Sequence, residues 1–155
     1  MDKKELLIKV LLLGSSGQVG SELNHSLKPF FNLRLVERSD INPQDFERLD
    51  SIIEQFSPDV IINAAAYTDV DKAESNPNEA FDVNANLVQH LAEMAEKKDA
   101  ILIHYSTDYV FDGNLKGIHT EESRVNPLSV YGKSKLLGEE RIISSGCKYL
   151  IFRNF

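Results

Sequence analysis

Apolar positions along this chain fall into two rhythms that alternate. Short apolar blocks stand at Leu6 to Leu13 (interrupted by Lys9), Leu33 to Val36, Val60 to Ile62, Ala100 to Tyr105 and Tyr149 to Arg153. Blocks of this length read as buried strands. Between them apolar residues recur every three or four positions: Val19, Leu23 and Leu27; Phe46, Leu49, Ile52, Ile53 and Phe56; Ala80, Val83, Leu87, Leu91 and Met94; Leu136, Leu137 and Ile142. That spacing lays one apolar stripe along a helix. Punctuation agrees with it. Pro29 to Asn32 and Ser57-Pro58 break helices, Gly146 suits a helix C-terminus, and Asn42-Pro43 and Asn76-Pro77 read as N-caps with proline at the first helical position. Strand-helix alternation at βα distances predicts an α/β fold, an open parallel sheet wound by helices on both faces, with strand order 3-2-1-4-5. At 155 residues the chain reads as one domain, 1–155.

The first strand runs straight into Gly14-Ser15-Ser16-Gly17-Gln18-Val19-Gly20, three glycines at G-x-x-G-x-x-G spacing, and then into the first helix. Gly14 permits a tight exit from the strand. Gly17 lets backbone N–H groups approach a phosphate with no Cβ in the way. Gly20 lets the helix pack close to the sheet. The helix N-terminus adds free N–H donors and partial positive charge, so the stretch reads as a dinucleotide pyrophosphate site. Glu37 follows Gly20 by 17 residues (37 − 20), near where such units place an acid on the adenosine ribose. Arg38 beside it attracts the extra phosphate of NADPH while Glu37 repels it, so both NADH and NADPH stay open. Small residues Ala64, Ala65 and Ala66 leave space at the carboxyl end of the third strand. Asn84, mid-helix beside an apolar face, reads as a structural residue in need of hydrogen-bond partners.

Composition narrows the partners. A formal net charge of −7 disfavours nucleic acid and anionic membrane surfaces. No apolar run approaches the ~20 residues that cross a bilayer. The one cysteine, Cys147, permits no internal disulfide, which suits a reducing cytoplasm. The four histidines show no metal-ligand spacing, and no metal is expected. The run from about Asp112 to Pro127 reads as a long loop of the functional kind.

Chemistry enters at Ser129-Val130-Tyr131-Gly132-Lys133-Ser134-Lys135. Tyr131 and Lys135 are four apart and share a helix face. Thr107, at the end of the fourth strand, lies beside the first turn of that helix in such a fold. The Lys135 ammonium is expected to favour tyrosinate and lower the Tyr131 pKa, making Tyr131 an acid for carbonyl reduction or a base in reverse. Lys135 can also donate to the nicotinamide ribose, and Thr107 can hold the substrate oxygen.

These pieces, GSSGQVG (14–20), SPDVIINAAAYTDVDKAE (57–74), HYSTDYVFDG (104–113) and YGKSKLLGE (131–139), resemble the extended short-chain dehydrogenase/reductases. Within them they are most similar to the dTDP-4-dehydrorhamnose reductases, from Lys9 to Arg153. The resemblance implies a Rossmann-like fold with Thr107, Tyr131 and Lys135 as the catalytic triad. It implies Gly17, Gln18 and Val19 on the pyrophosphate, Glu37 on the adenosine ribose, and Asp40 and Ile41 flanking the adenine. Ala64, Ala65 and Ala66 would line the path to the nicotinamide, and Thr107 and Asp108 would touch the nucleotide-sugar substrate. The implied reaction is reduction of the C4 ketone of dTDP-4-dehydro-L-rhamnose by NADPH or NADH. An epimerase or dehydratase on the same scaffold stays open, as does a non-catalytic NADP-binding subunit like the β subunit of methionine adenosyltransferase. Relatives continue past an Arg-Thr-Ser-Trp stretch into a substrate-binding region, whereas here the sequence reads Arg153-Asn154-Phe155. The expectation is therefore a cofactor half, with a homodimer or a complementing C-terminal half both open.

Overall fold

A computed structural model describes residues 7–42, 45–114 and 118–154. The elements run β1 (Lys9–Leu13), α1 (Gln18–Leu27), β2 (Asn32–Val36), a 3-10 turn (Arg38–Asp40), α2 (Glu47–Phe56), β3 (Val60–Asn63), α3 (Val70–Ser75) and α4 (Pro77–Phe81). A π-helical turn (Asp82–Asn86), α5 (Leu87–Lys98), β4 (Ile101–Thr107), a 3-10 turn (Asp108–Val110), α6 (Val130–Ser145) and β5 (Lys148–Asn154) follow. Leu6, Pro43, Phe155 and part of the 112–127 loop lie outside the described residues.

All strand pairs are parallel, as the alternation predicts. Their order is β2-β1-β3-β4-β5, which corrects the expected 3-2-1-4-5. The burial of the strands explains the difference. In β3, Ile61 and Ile62 are both buried, so both faces of the strand are covered and it belongs beside β1. In β2, Asn32 and Arg34 are exposed, the alternation of an outer strand. Among the described residues no strand pairs with the outer side of β2.

Alternate β1 residues face opposite layers. Leu11 and Leu13 pack with Leu49 and Ile53 of α2, Leu87 and Leu91 of α5 and Ile142 of α6. Val10 and Leu12 pack with Leu23 and Leu27 of α1. Register aligns Leu13 with Val36 and with Asn63, and Asn63 with His104. The carboxyl ends of the strands thus form one rim, above which β4 carries on to Thr107.

Two helix expectations change. The helix read from Asn42-Pro43 starts at Glu47 instead. The Asn42 carbonyl accepts from Asp45 N–H at 3.0 Å to close a turn, and the Asp45 carboxylate then accepts from Glu47 N–H at 2.9 Å. The helix read from Asn76-Pro77 does begin at Pro77, but is interrupted by the π-helical turn, which turns Asn84 fully inward. Such insertions recur at functional sites.

The glycine turn is sterically required at two of its three positions. Gly14 has φ +79°, where an L side chain is strained, and a Cβ there would stand 2.5 Å from the Ala64 carbonyl carbon. A Cβ on Gly20 would stand 2.0 Å from the Gly14 oxygen, with backbone on both sides of the clash. A Cβ on Gly17 would meet only the Gly14 oxygen, at 3.4 Å, an ordinary contact. Gly20→Ala is therefore expected to lower the unfolding free energy by about 1–3 kcal/mol in urea melts. Gly17→Ala, a helix N-cap exchange, should lower it by less than ~1 kcal/mol.

Candidate active site

The cofactor side of the rim starts at α1. Its N-cap, Gly17, is extended, no side chain caps the helix, and the first turn carries no acid. The first N–H groups, Gln18 and Val19 among them, therefore point out unsatisfied by side chains, the arrangement that takes an anion. The loop is held from below. Gly17 N–H donates to the Gly14 oxygen at 3.0 Å, and Ala64 N–H donates to the Leu13 oxygen at 3.0 Å. Ala64, Ala65 and Ala66 follow β3 half-buried beside this loop, and Ala65 N–H donates to Asn63 Oδ1 at 3.1 Å.

Glu37 sits at the end of β2. Its carboxylate accepts from the Asp40 backbone N–H and lies 3.4 Å from Ser15 Oγ, which places an acid at the edge of the glycine turn. Asp40 returns the cap: one carboxylate oxygen accepts from Glu37 N–H at 3.0 Å, and the other pairs with Arg48 at 2.5 Å. The Asp40 side chain is thus spent on holding the turn. Arg38 is exposed beside it, and Ile41 packs partly buried against the core.

At the other end of the rim, β4 and α6 bring Thr107, Tyr131 and Lys135 together. Ser129 caps α6 by accepting from Gly132 N–H at 3.0 Å, and Glu74 of α3 accepts from Val130 N–H at 2.8 Å. These two contacts fix the first turn, and hence Tyr131, against β4. The Thr107 hydroxyl stands beside the Tyr131 phenol and accepts from Tyr109 N–H at 3.2 Å. The Tyr109 ring meets Tyr131 edge-on, with centroids 5.4 Å apart.

Burial pushes the Tyr131 pKa up, with Asp108 and Tyr109 adding to it and Thr107 opposing. The expectation that Lys135 lowers it is overturned, because removing the phenol from water outweighs its neighbours. The phenol is therefore fully protonated at neutral pH, the state in which it can donate. Lys135 is almost completely buried and donates to the Tyr105 carbonyl at 2.6 Å. Burial lowers its pKa to about 8, and Glu139 one turn further along α6 pulls it back up. A cleft of about 420 Å³ opens beside Asp108, lined by Tyr109, Phe111, Leu128 and Ser129.

Two further residues hold the site, one of them legible in the sequence and one not. Asn84 was expected to need partners; its Oδ1 accepts from Tyr67 N–H at 2.9 Å, and its Nδ2 donates to the Tyr67 oxygen and to Ser134 Oγ, both at 3.0 Å. It thereby ties the loop after β3 to α6. Glu139, buried, accepts from Ser106 Oγ and from Arg153, whose Nη2 lies 2.6 Å away. Glu139 had no sequence signal beyond a polar residue on a helix face that is otherwise buried.

The glycine turn fits a nicotinamide dinucleotide. Gly17 has neither a positive φ nor a clash to demand glycine, so the space above it is what the missing Cβ leaves open. Among the described residues no cluster of histidine, cysteine and acids is arranged to hold a metal, and no helix is long and apolar enough to cross a membrane.

The chain is 43% identical over 153 residues to a dTDP-4-dehydrorhamnose reductase of Shigella flexneri, covering 94% of this chain and 50% of the relative. It superimposes on the dTDP-4-dehydrorhamnose reductase of Clostridium acetobutylicum with a TM-score of 0.90 at 37% identity, covering 94% of this chain and 52% of that one. The enzyme of the same name from Bacillus anthracis, in complex with NADP, gives 0.90 at 30% identity, covering 95% and 53%. The chain thus spans about half the length of the relatives it matches. Residues 8–154 match the model of the RmlD substrate binding domain, and the chain belongs to that family.

Proposed function

We propose that this chain is the cofactor-binding half of an NAD(P)H-dependent reductase that converts the C4 ketone of dTDP-4-dehydro-L-rhamnose to the alcohol of dTDP-L-rhamnose. The observation that carries this reading is the convergence of Thr107, Tyr131 and Lys135 at the rim whose other end is the open glycine turn. When bound, NAD(P)H supplies the hydride to the C4 carbon. Gln18 and Val19 hold the pyrophosphate with backbone N–H groups over the space that Gly17 leaves open, and Glu37 takes the adenosine ribose. Lys135 donates to the nicotinamide ribose. Tyr131 gives its phenolic proton to the carbonyl oxygen as the C=O bond becomes C–OH, and Thr107 orients that oxygen. Asp108 faces the cleft in which the sugar lies. The Glu37 carboxylate, fixed at the loop edge, leaves room for a ribose with free hydroxyls, while exposed Arg38 suits one bearing a phosphate, so both cofactors are accommodated.

Titrating the chain with NADPH and with NADH, read by nicotinamide fluorescence, should give a Kd below about 1 mM for at least one of them, and weaker binding of both sinks the reading. Gly17→Ala should weaken that binding by at least about tenfold, the cost of disturbing charge-assisted hydrogen bonds to the pyrophosphate, while leaving the fold intact. The affinity should also fall as the pH rises through about 8, where the buried ammonium of Lys135 loses its proton, and Lys135→Met should flatten that dependence. Tyr131→Phe should change the Kd by no more than about tenfold, the worth of one neutral hydrogen bond. Joined to a substrate half, the same variant should lose a factor of about 10² to 10⁴ in turnover. A large loss of cofactor binding instead would make Tyr131 a structural residue.

A further inference from the structure

His104 is a fully buried imidazole in the middle of β4, opposite Asn63 in the register of β3 and β4. Its hydrogen bonding is determined by its neighbour. Asn63 Oδ1 accepts from Ala65 N–H at 3.1 Å, so the other end of the amide, Nδ2, is the donor that lies 3.1 Å from His104 Nδ1. His104 Nδ1 therefore accepts, and the proton of the neutral ring sits on Nε2. Burial, reinforced by the nearby Lys135 charge, holds the imidazole pKa well below its ordinary value, so the ring stays neutral. The Nε2–H is itself buried and meets no acceptor. Lys135 is in a similar position: it has three N–H donors, and the Tyr105 carbonyl takes one of them. His104 directly precedes Tyr105, whose carbonyl holds the ammonium, so a strand donor and a helix donor are both buried at this point of β4, and buried donors in folded proteins are matched by an acceptor.

We infer that His104 is a positioning residue for Lys135: its Nε2–H and the Lys135 ammonium share one buried water as acceptor, and through Asn63 the imidazole ties that ammonium to the Ala64–Ala66 segment. A water is the acceptor that fits, being small enough for a closed interior and able to accept from both groups at once. The chain of contacts runs from Lys135 through the water to His104, then through Asn63 to the Ala65 backbone, so it spans from α6 to the floor of the glycine turn. This assignment rests on Lys135 being the group that holds the nicotinamide ribose. His104 sets where the ammonium stands relative to the alanines along which the nicotinamide lies, and does not itself touch the cofactor.

Two measurements on the whole chain test this. Nitrogen-15 spectra of the imidazoles, free of cofactor, should show His104 as the neutral Nε2–H tautomer at pH 7, with a cross-peak from that proton to a long-lived water. An Nδ1–H tautomer, or no water contact, overturns the proposal. NADPH titration of His104→Phe should show an affinity lower by about tenfold, the cost of leaving a buried ammonium donor unmatched, and His104→Gln, which keeps a side-chain N–H, should recover most of it. Unchanged affinity in His104→Phe also overturns it. Should His104→Phe fail to fold, the wild-type spectra decide alone. If the wild-type chain binds neither NADPH nor NADH, the cofactor reading fails, while the tautomer and the water still decide whether His104 and Lys135 share an acceptor.

Discussion

Burying the Lys135 ammonium is the constraint that the rest of the site is built to meet. An isolated charge taken out of water is costly, and proteins keep such groups only where partners compensate. Here the Tyr105 carbonyl accepts directly at 2.6 Å, and the Glu139 carboxylate, one turn further on, supplies opposite charge. Glu139 is buried in turn and needs its own partners, which are Ser106 and the guanidinium of Arg153. Arg153 lies over the Phe111 ring, 5.2 Å from its centroid. One buried cation therefore recruits residues from β4, α6 and β5 into a single polar layer between helix and sheet. Even so, its affinity for the proton is lowered, so the charge is held in a state close to release.

That layer sets the position of Tyr131. Tyr131, Lys135 and Glu139 occur at four-residue intervals along α6, so fixing Lys135 and Glu139 against the sheet fixes Tyr131 above them. Ser129 and Glu74 then hold the first turn of the helix from outside. The π-helical turn contributes from the other flank, where Asn84 joins Ser134 of α6 to the backbone of Tyr67. With its surroundings this firmly set, Tyr131 is desolvated, and desolvation rather than a neighbouring cation decides its protonation state. A protonated phenol next to a hydroxyl can donate a proton.

Both ends of the rim could be read along the chain, whereas the long-range contacts that hold them could not. The glycine turn is a local object: Gly14 and Gly20 are demanded by φ and by close backbone contact within a few residues, and the helix that follows needs only its own periodicity. The pair Tyr131 and Lys135 is equally local, four residues on one helix. Asn63 and His104 are 41 residues apart, Asn84 and Ser134 are 50 apart, and Val130 and Glu74 are 56 apart. Each of these contacts joins elements whose adjacency follows from strand order. The order expected from the alternation alone put the wrong strand beside β1, so these neighbours were not legible. The contacts of Asp40 with Arg48 and with the Glu37 backbone are short-range ones.

By itself the sequence determined where the five strands and the main helices lie, that the sheet is parallel, where the glycine turn begins, and that Tyr131 and Lys135 share one helix face. All of this follows from hydrophobic periodicity, glycine sterics and helical spacing, which act over a few residues. Tertiary structure decided the strand order, the protonation preference of Tyr131, and the buried partners of Lys135, Glu139, Asn84 and His104. Those depend on which groups are taken out of water together, a property of packing between distant segments that no local pattern encodes.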